Sequence, residues 1–177
     1  MGAESVTVCF TGNPNCGKTT LFNAYTGAGK KTANWPGVTV ALSEGSLMHR
    51  GRLVHLVDTP GIYSLDPYTM EETVTRQCIR DQKADVIIHV ADALLLERSL
   101  FLTMQLLAEG RPMVLALNMM DLVRKRGMDI DTEGLSRLLG GIPVIPVSAR
   151  RRTGLEELMD AAVEAARARR MKSEAKR

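Results

Sequence analysis

The chain has 177 residues and a formal net charge of +3, and 45% of its residues are hydrophobic. That length predicts one compact domain with an ordinary core. No apolar run reaches the roughly 18 residues that a membrane-spanning helix needs, so we exclude a channel built from this chain alone. Six basic residues and one acid lie within 167–177. We interpret that stretch as a solvated helix end rather than a tail that binds RNA or lipid.

The most informative motif, G-x-x-x-x-G-K-T, lies between a predicted strand (5–11) and a predicted helix (18–26). Backbone N–H groups of such a loop bind phosphate oxygens, helped by the positive N-terminus of the helix. Lys18 is expected to reach the β- and γ-phosphates, and the Thr19 hydroxyl to hold Mg²⁺. The predicted nucleotide-binding residues here are Gly12, Asn13, Pro14, Asn15, Cys16, Gly17, Lys18, Thr19 and Thr20.

A second threonine is needed to complete the Mg²⁺ shell in the triphosphate state. Thr32 and Thr39 both lie at suitable places, and Thr39 is favoured because the preceding Asn-Trp-Pro-Gly is typical of a mobile loop. Trp35, the only tryptophan, belongs to that loop. We interpret Trp35 as a switch residue rather than a core residue.

A hairpin is predicted over 38–58, turning at 49–52, and its second strand runs into the D-x-x-G sequence of Asp58 to Gly61. Asp58 is expected to hold Mg²⁺, and the Gly61 N–H to sense the γ-phosphate. Ile62 occupies the position where Ras-like enzymes carry a water-orienting Gln, which predicts slow hydrolysis unless charge comes from elsewhere. Glu71 and Glu72 begin a predicted helix (71–82), and we interpret them as acids that stabilise its N-terminus.

The nucleotide base is indicated by N-x-x-D, which follows a predicted strand at 112–117. The Asp121 carboxylate can accept the guanine N1–H and exocyclic amine, a donor pair that adenine lacks. This favours GTP, although Met119 stands where most guanine-specific loops have Lys and some ATP turnover is therefore expected. The predicted base-binding residues are Asn118, Met119 and Asp121, with Ser148, Ala149 and Arg150 after a strand at 143–147.

The remaining predicted elements are a strand at 85–91 and helices at 97–109, 132–139 and 154–168. Alternation of strands and helices predicts an α/β fold, with a six-stranded, mostly parallel sheet and helices on both faces. The motifs all follow strands, and such sheets bind ligands at the carboxyl ends of their strands. The expected architecture is a Ras-like P-loop G domain.

Several segments together resemble the N-terminal G domain of bacterial ferrous iron transporters, the FeoB family. They are GNPNCGKTTLFN, NWPGVTV, DTPGIYSL, the stretch 96–100 and ALNMMD. The resemblance covers about residues 5 to 165. It implies a cytoplasmic GTPase, at the inner membrane as part of a longer protein, that regulates or drives Fe²⁺ passage through a membrane domain.

The resemblance also implies activation by K⁺, held by an Asn that matches Asn15. Predicted catalytic residues are Asn15, Lys18, Thr39 and Gly61, and predicted metal ligands are Thr19, Thr39 and Asp58 for Mg²⁺ and Asn15 for K⁺. The expected domains are a G domain at 1–166 and a basic linker at 167–177 toward a helical domain. Alternatives are an RNA- or ribosome-associated GTPase, which would use the basic end, and a nucleotide-gated switch with negligible turnover.

The three cysteines, Cys9, Cys16 and Cys78, have no metal-ligand spacing and no evident partner. Reduced thiols are expected. Cys16 lies near a helix N-terminus, which predicts a lowered thiol pKa. We interpret it as a small tolerated residue rather than a redox sensor.

Overall fold

The computed structural model describes residues 5–34, 40–80 and 84–175. Within these ranges the chain forms one seven-stranded sheet in the order β2-β3-β4-β1-β5-β6-β7. The strands are β1 (Val6–Gly12), β2 (Lys31–Asn34), β3 (Ala41–His49), β4 (Arg52–Asp58), β5 (Val86–Asp92), β6 (Met113–Asn118) and β7 (Val144–Pro146). The helices are α1 (Lys18–Thr26), α2 (Met70–Arg80), α3 (Leu96–Ala108), α4 (Met120–Lys125), α5 (Thr132–Leu138) and α6 (Leu155–Glu174).

Strands β4, β1, β5, β6 and β7 are parallel, and β3 and β2 add an antiparallel edge. The predicted α/β class and mostly parallel sheet are confirmed. The predicted count of six strands is wrong by one, because β2 pairs with β3 as a four-residue edge strand. Such a short polar strand lacks the apolar pattern that would reveal it. Helix α4, of six residues, was likewise not predicted.

The central strand β1 separates two layers of the core. Val8 and Phe10 contribute to the cluster that contains α1 and α6 residues, whereas Cys9 packs on the opposite face with residues of α2. Phe10 meets Phe22 of α1 edge-to-face, with 5.9 Å between ring centroids. Burial on both faces explains the mostly apolar sequence of this strand.

Helix α6 extends to Glu174, six residues beyond its predicted end. Its last turns are rich in Ala, Arg, Lys and Glu, which have high helix propensity. Arg170 also donates to the backbone oxygen of Ser5 at 3.0 Å and lies 2.9 Å from the Asp85 carboxylate. Most of the basic stretch is therefore helical.

His89 lies in β5 and is fully buried. Its Nδ1 is 3.4 Å from the Thr11 hydroxyl, whereas Nε2 has no hydrogen-bond partner. Burial lowers the pKa of His89 from 6.5 to about 4, so the ring is neutral in the folded protein near pH 7.

We expect the free energy of unfolding to fall as pH decreases from 6.5 to about 4, because unfolded His89 binds a proton that folded His89 does not. A pKa difference of this size corresponds to roughly 3 kcal/mol. Urea unfolding across this pH range measures the slope. His89→Gln should flatten it. An unaltered slope in His89→Gln would contradict the assignment.

Candidate functional site

The glycine-rich loop leaves β1 at the carboxyl end of the sheet and enters α1. It borders a cavity of about 330 Å³ lined by Asn13, Pro14, Asn15, Gly17, Lys18, Thr19, Thr20 and Gly61. Gly17 has φ 85°, and a Cβ there would lie 2.2 Å from Nδ2 of Asn118. Asn15 also adopts the left-handed conformation, with φ 64°. Glycine at position 17 thus allows the loop to lie close to Asn118.

Lys18 and Thr19 line this cavity, and both side chains contact Asp58. Lys18 Nζ forms an ion pair with Asp58 Oδ1, and both side chains are less than 10% exposed. The Thr19 hydroxyl donates to Asp58 Oδ2 at 3.1 Å. The buried Lys18 ammonium beside this cavity would attract a phosphate group. The adjacent hydroxyl and carboxylate provide the oxygen ligands that Mg²⁺ prefers.

The D-x-x-G segment is fixed against β1 and the glycine-rich loop. The Thr59 hydroxyl donates to the Phe10 carbonyl at 2.8 Å, and the Ile62 N–H donates to the Gly12 carbonyl at 3.1 Å. At Gly61, a Cβ would lie 3.0 Å from the Pro14 Cα. This close approach brings the Gly61 backbone to the cavity.

The residue after Gly61 points away from the cavity, because the side chain of Ile62 is 2% exposed and packs in the core with Leu65 and Ile79. Of the two acids considered, Glu72 forms a capping box with Thr69. Its carboxylate accepts the Thr69 N–H at 2.9 Å, and its own N–H donates to the Thr69 hydroxyl at 3.2 Å. The structural interpretation of Glu72 is therefore supported.

A second cavity, of about 150 Å³, lies beside the first at the ends of β6 and β7. It is lined by Gly17, Thr20, Asn118, Met119, Asp121, Leu122, Ser148, Ala149 and Arg150. All six predicted base-binding residues therefore meet in one place. Asn118 joins the loops: its Nδ2 donates to the Cys16 carbonyl, and its Oδ1 accepts the Ala149 N–H, both at 3.0 Å. The N–H of Ala149, one of the predicted base-binding residues, is thus directed at Asn118.

Asp121 lies at the mouth of the second cavity. A hydrogen bond from Ser148 holds the pKa of its carboxyl below the usual range, so Asp121 is ionised at neutral pH. Arg151 Nε lies 3.6 Å from its Oδ2. An ionised carboxylate at this position is a strong acceptor for a pair of N–H donors.

The prediction of a lowered pKa for Cys16 is wrong. Its side chain is 2% exposed, and burial raises the thiol pKa to about 11. Desolvation of a thiolate in the core outweighs the favourable helix N-terminus.

The sequence did not predict a junction between α3 and the D-x-x-G segment. The Arg98 guanidinium lies 4.5 Å from the centroid of the Tyr63 ring. The Arg98 carbonyl accepts a hydrogen bond from Nδ2 of Asn13 at 3.4 Å. A cavity of about 180 Å³ lies between these residues. Arg98 belongs to the stretch 96–100 that contributed to the family resemblance, but its contacts depend on tertiary packing.

Two predicted switch residues, Trp35 and Thr39, lie outside the described residues. Thr32, the other threonine considered, lies in β2 opposite Ser43. In the ranges that the structure describes, no three His, Cys, Asp or Glu side chains form a group suited to a metal ion. None of the helices there combines the length and apolar character needed to cross a bilayer.

Comparison with known proteins identifies the family of this chain. The family model described as Ferrous iron transport protein B matches residues 6–162. The chain belongs to this FeoB family. The Fe(2+) transporter FeoB of Legionella pneumophila (strain Paris) is 48% identical over 151 residues, which is 83% of this chain and 20% of that protein. FeoB of Salmonella typhimurium is 44% identical over 159 residues, 88% of this chain and 20% of that protein.

Solved FeoB structures share the fold. The cytosolic domain of T. maritima FeoB in a GDP form superposes with a TM-score of 0.89 at 41% identity, covering 94% of this chain and 65% of that one. The cytosolic domain of L. pneumophila FeoB gives 0.84 at 45% identity, covering 90% and 63%. The Ras-like architecture is thereby confirmed. The chain spans about a fifth of the length of the curated FeoB proteins it matches.

Proposed function

We propose that this chain is a GTP-binding and GTP-hydrolysing domain that regulates Fe²⁺ passage through the membrane part of a FeoB transporter. The observation that carries the proposal is the juxtaposition of two cavities. One is lined by Lys18 and Thr19, whose side chains contact Asp58, and the other by Asp121. A GDP-bound relative with the same fold supports it. In a FeoB protein this domain would lie on the cytoplasmic side, with the basic linker at 167–177 leading toward a helical domain.

The residues of the two cavities have different roles in binding the nucleotide. The loop N–H groups and Lys18 bind the β- and γ-phosphates, and the Gly61 N–H meets the γ-phosphate where Gly61 packs on Pro14. Asp121 accepts the two guanine N–H donors, while Asn118 fixes the distance between the phosphate and base loops. Hydrolysis then depends on how well these groups stabilise charge that develops at the γ-phosphate.

The described residues fit a Mg²⁺ ion. When bound, Mg²⁺ neutralises charge on the β- and γ-phosphate oxygens. The Thr19 hydroxyl and the Asp58 carboxylate are already 3.1 Å apart at the cavity and would hold the ion, with Thr39 as the predicted third protein ligand. Lys18 would then exchange its contact with Asp58 for phosphate.

We also propose stimulation by K⁺ through Asn15. Ile62 is buried and cannot orient water, and Asn15 lines the phosphate cavity with a left-handed backbone. Its side-chain oxygen is the ligand that this chain offers to a cation beside the phosphates.

Phosphate release from GTP and from ATP, measured in K⁺ and in Na⁺, tests the function. We expect GTP hydrolysis that is faster in K⁺, with slower but measurable ATP hydrolysis because Met119 replaces the usual Lys. GTP binding without phosphate release in either salt would instead support the nucleotide-gated switch. Absence of GTP binding, with salt-sensitive RNA binding, would overturn the proposal.

Asp121→Ala should weaken GTP binding by about 1.5–3 kcal/mol, the scale of a hydrogen bond to a charged group, and leave ATP binding nearly unchanged. Calorimetric titration with each nucleotide provides the measurement. Glu133→Ala is the matched control, because Glu133 is an exposed carboxylate on α5. Equal losses of GTP and ATP affinity in Asp121→Ala would contradict base recognition by this residue.

Thr39→Ala should slow hydrolysis more than it weakens GDP binding, because the hydroxyl is expected to complete the Mg²⁺ shell only in the triphosphate state. Trp35 fluorescence should differ between GDP and a non-hydrolysable GTP analogue. Identical emission in both states, together with normal turnover in Thr39→Ala, would transfer the switch role to Thr32.

A further inference from the structure

Two cysteines that are 69 positions apart in the sequence meet inside the protein. Cys9 of β1 and Cys78 of α2 lie with their sulfur atoms 3.3 Å apart, and their side chains are at most 1% exposed. They share a small cluster with Val57 and Val74 on the face of the sheet that α2 covers. We propose that Cys9 and Cys78 are a redox-active pair that a peroxide converts to a disulfide, fixing α2 to β1 and stopping the GTPase cycle.

The positions of the pair explain why such a bond would affect the site. Cys9 precedes Gly12, the first residue of the phosphate-binding loop, by three positions, and α2 follows the D-x-x-G segment. In P-loop GTPases this segment is ordered by contacts to the γ-phosphate and released after hydrolysis. A covalent bond between α2 and β1 would hold the segment in one arrangement. The consequence for hydrolysis rests on the proposed function.

When α2 packs on the sheet as in this structure, which we call the closed arrangement, the two cysteines are protected from oxidation. A hydrogen bond with Cys78, together with burial, raises the pKa of Cys9 well above its ordinary value, so Cys9 is a neutral thiol. Buried neutral thiols react slowly with peroxides, because the thiolate is the nucleophile. Oxidation therefore requires α2 to move away from the sheet and expose Cys78.

Helix α2 carries polar groups that favour such movement. Thr75 Oγ1 and Arg76 Nε are buried without a hydrogen-bond partner, and only two other side-chain atoms in the described ranges share this condition. Displacement of α2 would expose both groups to water and recover their hydrogen bonds. These two polar groups thus offset part of the free energy that α2 gains by burying Val74 and Cys78 against the sheet.

The chemistry balances with one peroxide. The Cys78 thiolate attacks a peroxide oxygen, the O–O bond breaks and Cys78 becomes a sulfenic acid. The hydroxide that leaves takes up the proton that the Cys78 thiol released and becomes water. As α2 closes, Cys9 gives up its proton before water is excluded and its thiolate attacks the sulfenic sulfur. The S–O bond breaks, and the departing hydroxide takes up that proton and leaves as a second water. The sulfur atoms need only approach from 3.3 Å to the bonded distance of about 2.05 Å. The two thiols supply the two electrons that reduce the peroxide.

Hydrogen peroxide is a chemically reasonable signal for a domain that regulates iron entry, because it reacts with ferrous iron. Ferrous iron reduces hydrogen peroxide to hydroxide and hydroxyl radical while becoming ferric iron. A domain that stops when peroxide is present would limit this reaction by limiting the supply of ferrous iron. Thiol reductants would restore it.

The test uses wild-type protein treated with hydrogen peroxide without nucleotide, with GDP, and with a non-hydrolysable GTP analogue and Mg²⁺. Free thiols are then alkylated, and the protein is digested and analysed by mass spectrometry. We expect a peptide pair linked through Cys9 and Cys78, forming about tenfold more slowly with the analogue, which holds α2 closed. Absence of this linked pair in every state would overturn the proposal, as would equal rates in all three.

A second measurement follows GTP hydrolysis before and after oxidation. We expect a loss of roughly tenfold or more that dithiothreitol reverses, as for an enzyme whose mobile segment is locked. Cys78→Ala should lose both the linked peptide and the response to peroxide, whereas Cys16→Ser should still form the link. If the disulfide-linked protein hydrolysed GTP as fast as the protein with free thiols, the regulatory role would be overturned. Failure of the reduced protein to hydrolyse GTP would instead count against the proposed function, since the peptide analysis does not depend on turnover.

Discussion

Replacement of Asn15 by Gly should abolish stimulation of GTP hydrolysis by K⁺. Asn15 lines the phosphate cavity, and the buried Ile62 leaves no side chain to orient water at the position after Gly61. Positive charge beside the phosphates is then the main missing contribution. One preorganised charge-stabilising contact contributes ~2.7–4 kcal/mol, so we expect a decrease of ~10²–10³-fold in the rate in K⁺. The rate in Na⁺ should change little.

Glycine is chosen because Asn15 has φ 64°, a conformation that alanine adopts only with strain. Asn15→Ala should show the same loss of K⁺ response with a less stable fold. GDP affinity should be nearly unaffected in both variants, because Lys18 and the loop N–H groups remain. Asn23→Ala, an amide on α1 that contacts Lys30, is the matched control. Retention of the K⁺ response in Asn15→Gly would refute the assignment.

The positions of the predicted nucleotide-binding loops could be read from the sequence, because recognition of phosphate and of guanine each requires particular residues at fixed spacing. The predicted phosphate-binding loop has glycines at 12 and 17, and a Cβ added at either position would clash with neighbouring protein atoms. The parallel strands were predictable because burial on both faces favours mostly apolar sequences such as those of β1 and β6. The six predicted base-binding residues line one cavity because they follow the neighbouring strands β6 and β7.

What the sequence did not reveal depends on packing between distant segments. Nothing in the spacing of Cys9 and Cys78 indicates that α2 brings them together. The pKa of Cys16 was predicted in the wrong direction because a local rule, the helix N-terminus, was applied without knowledge of burial. The stacking of Arg98 on Tyr63 joins an exposed residue of α3 to a loop, and neither residue type has a pattern that specifies its partner.

Lys18→Met should have two separable effects, one on nucleotide binding and one on the stability of the nucleotide-free protein. Loss of the ammonium removes charge-assisted contacts to two phosphates, so we expect GTP and ATP to bind more weakly by at least about 3 kcal/mol each. In the nucleotide-free protein the same change leaves Asp58 buried without its cationic partner. Breaking a buried ion pair from one side typically costs about 3–5 kcal/mol of stability.

The double variant Lys18→Met with Asp58→Asn separates the two effects. Asparagine is neutral and can still accept the hydrogen bond of the Thr19 hydroxyl, so most of the lost stability should return. Nucleotide affinity should not return, because the phosphates still lack the ammonium and Mg²⁺ lacks a carboxylate. Urea unfolding without nucleotide and calorimetric titration with GTP and ATP measure the two quantities. Recovery of triphosphate binding in the double variant would show that Lys18 acts by relieving Asp58 rather than by contacting phosphate.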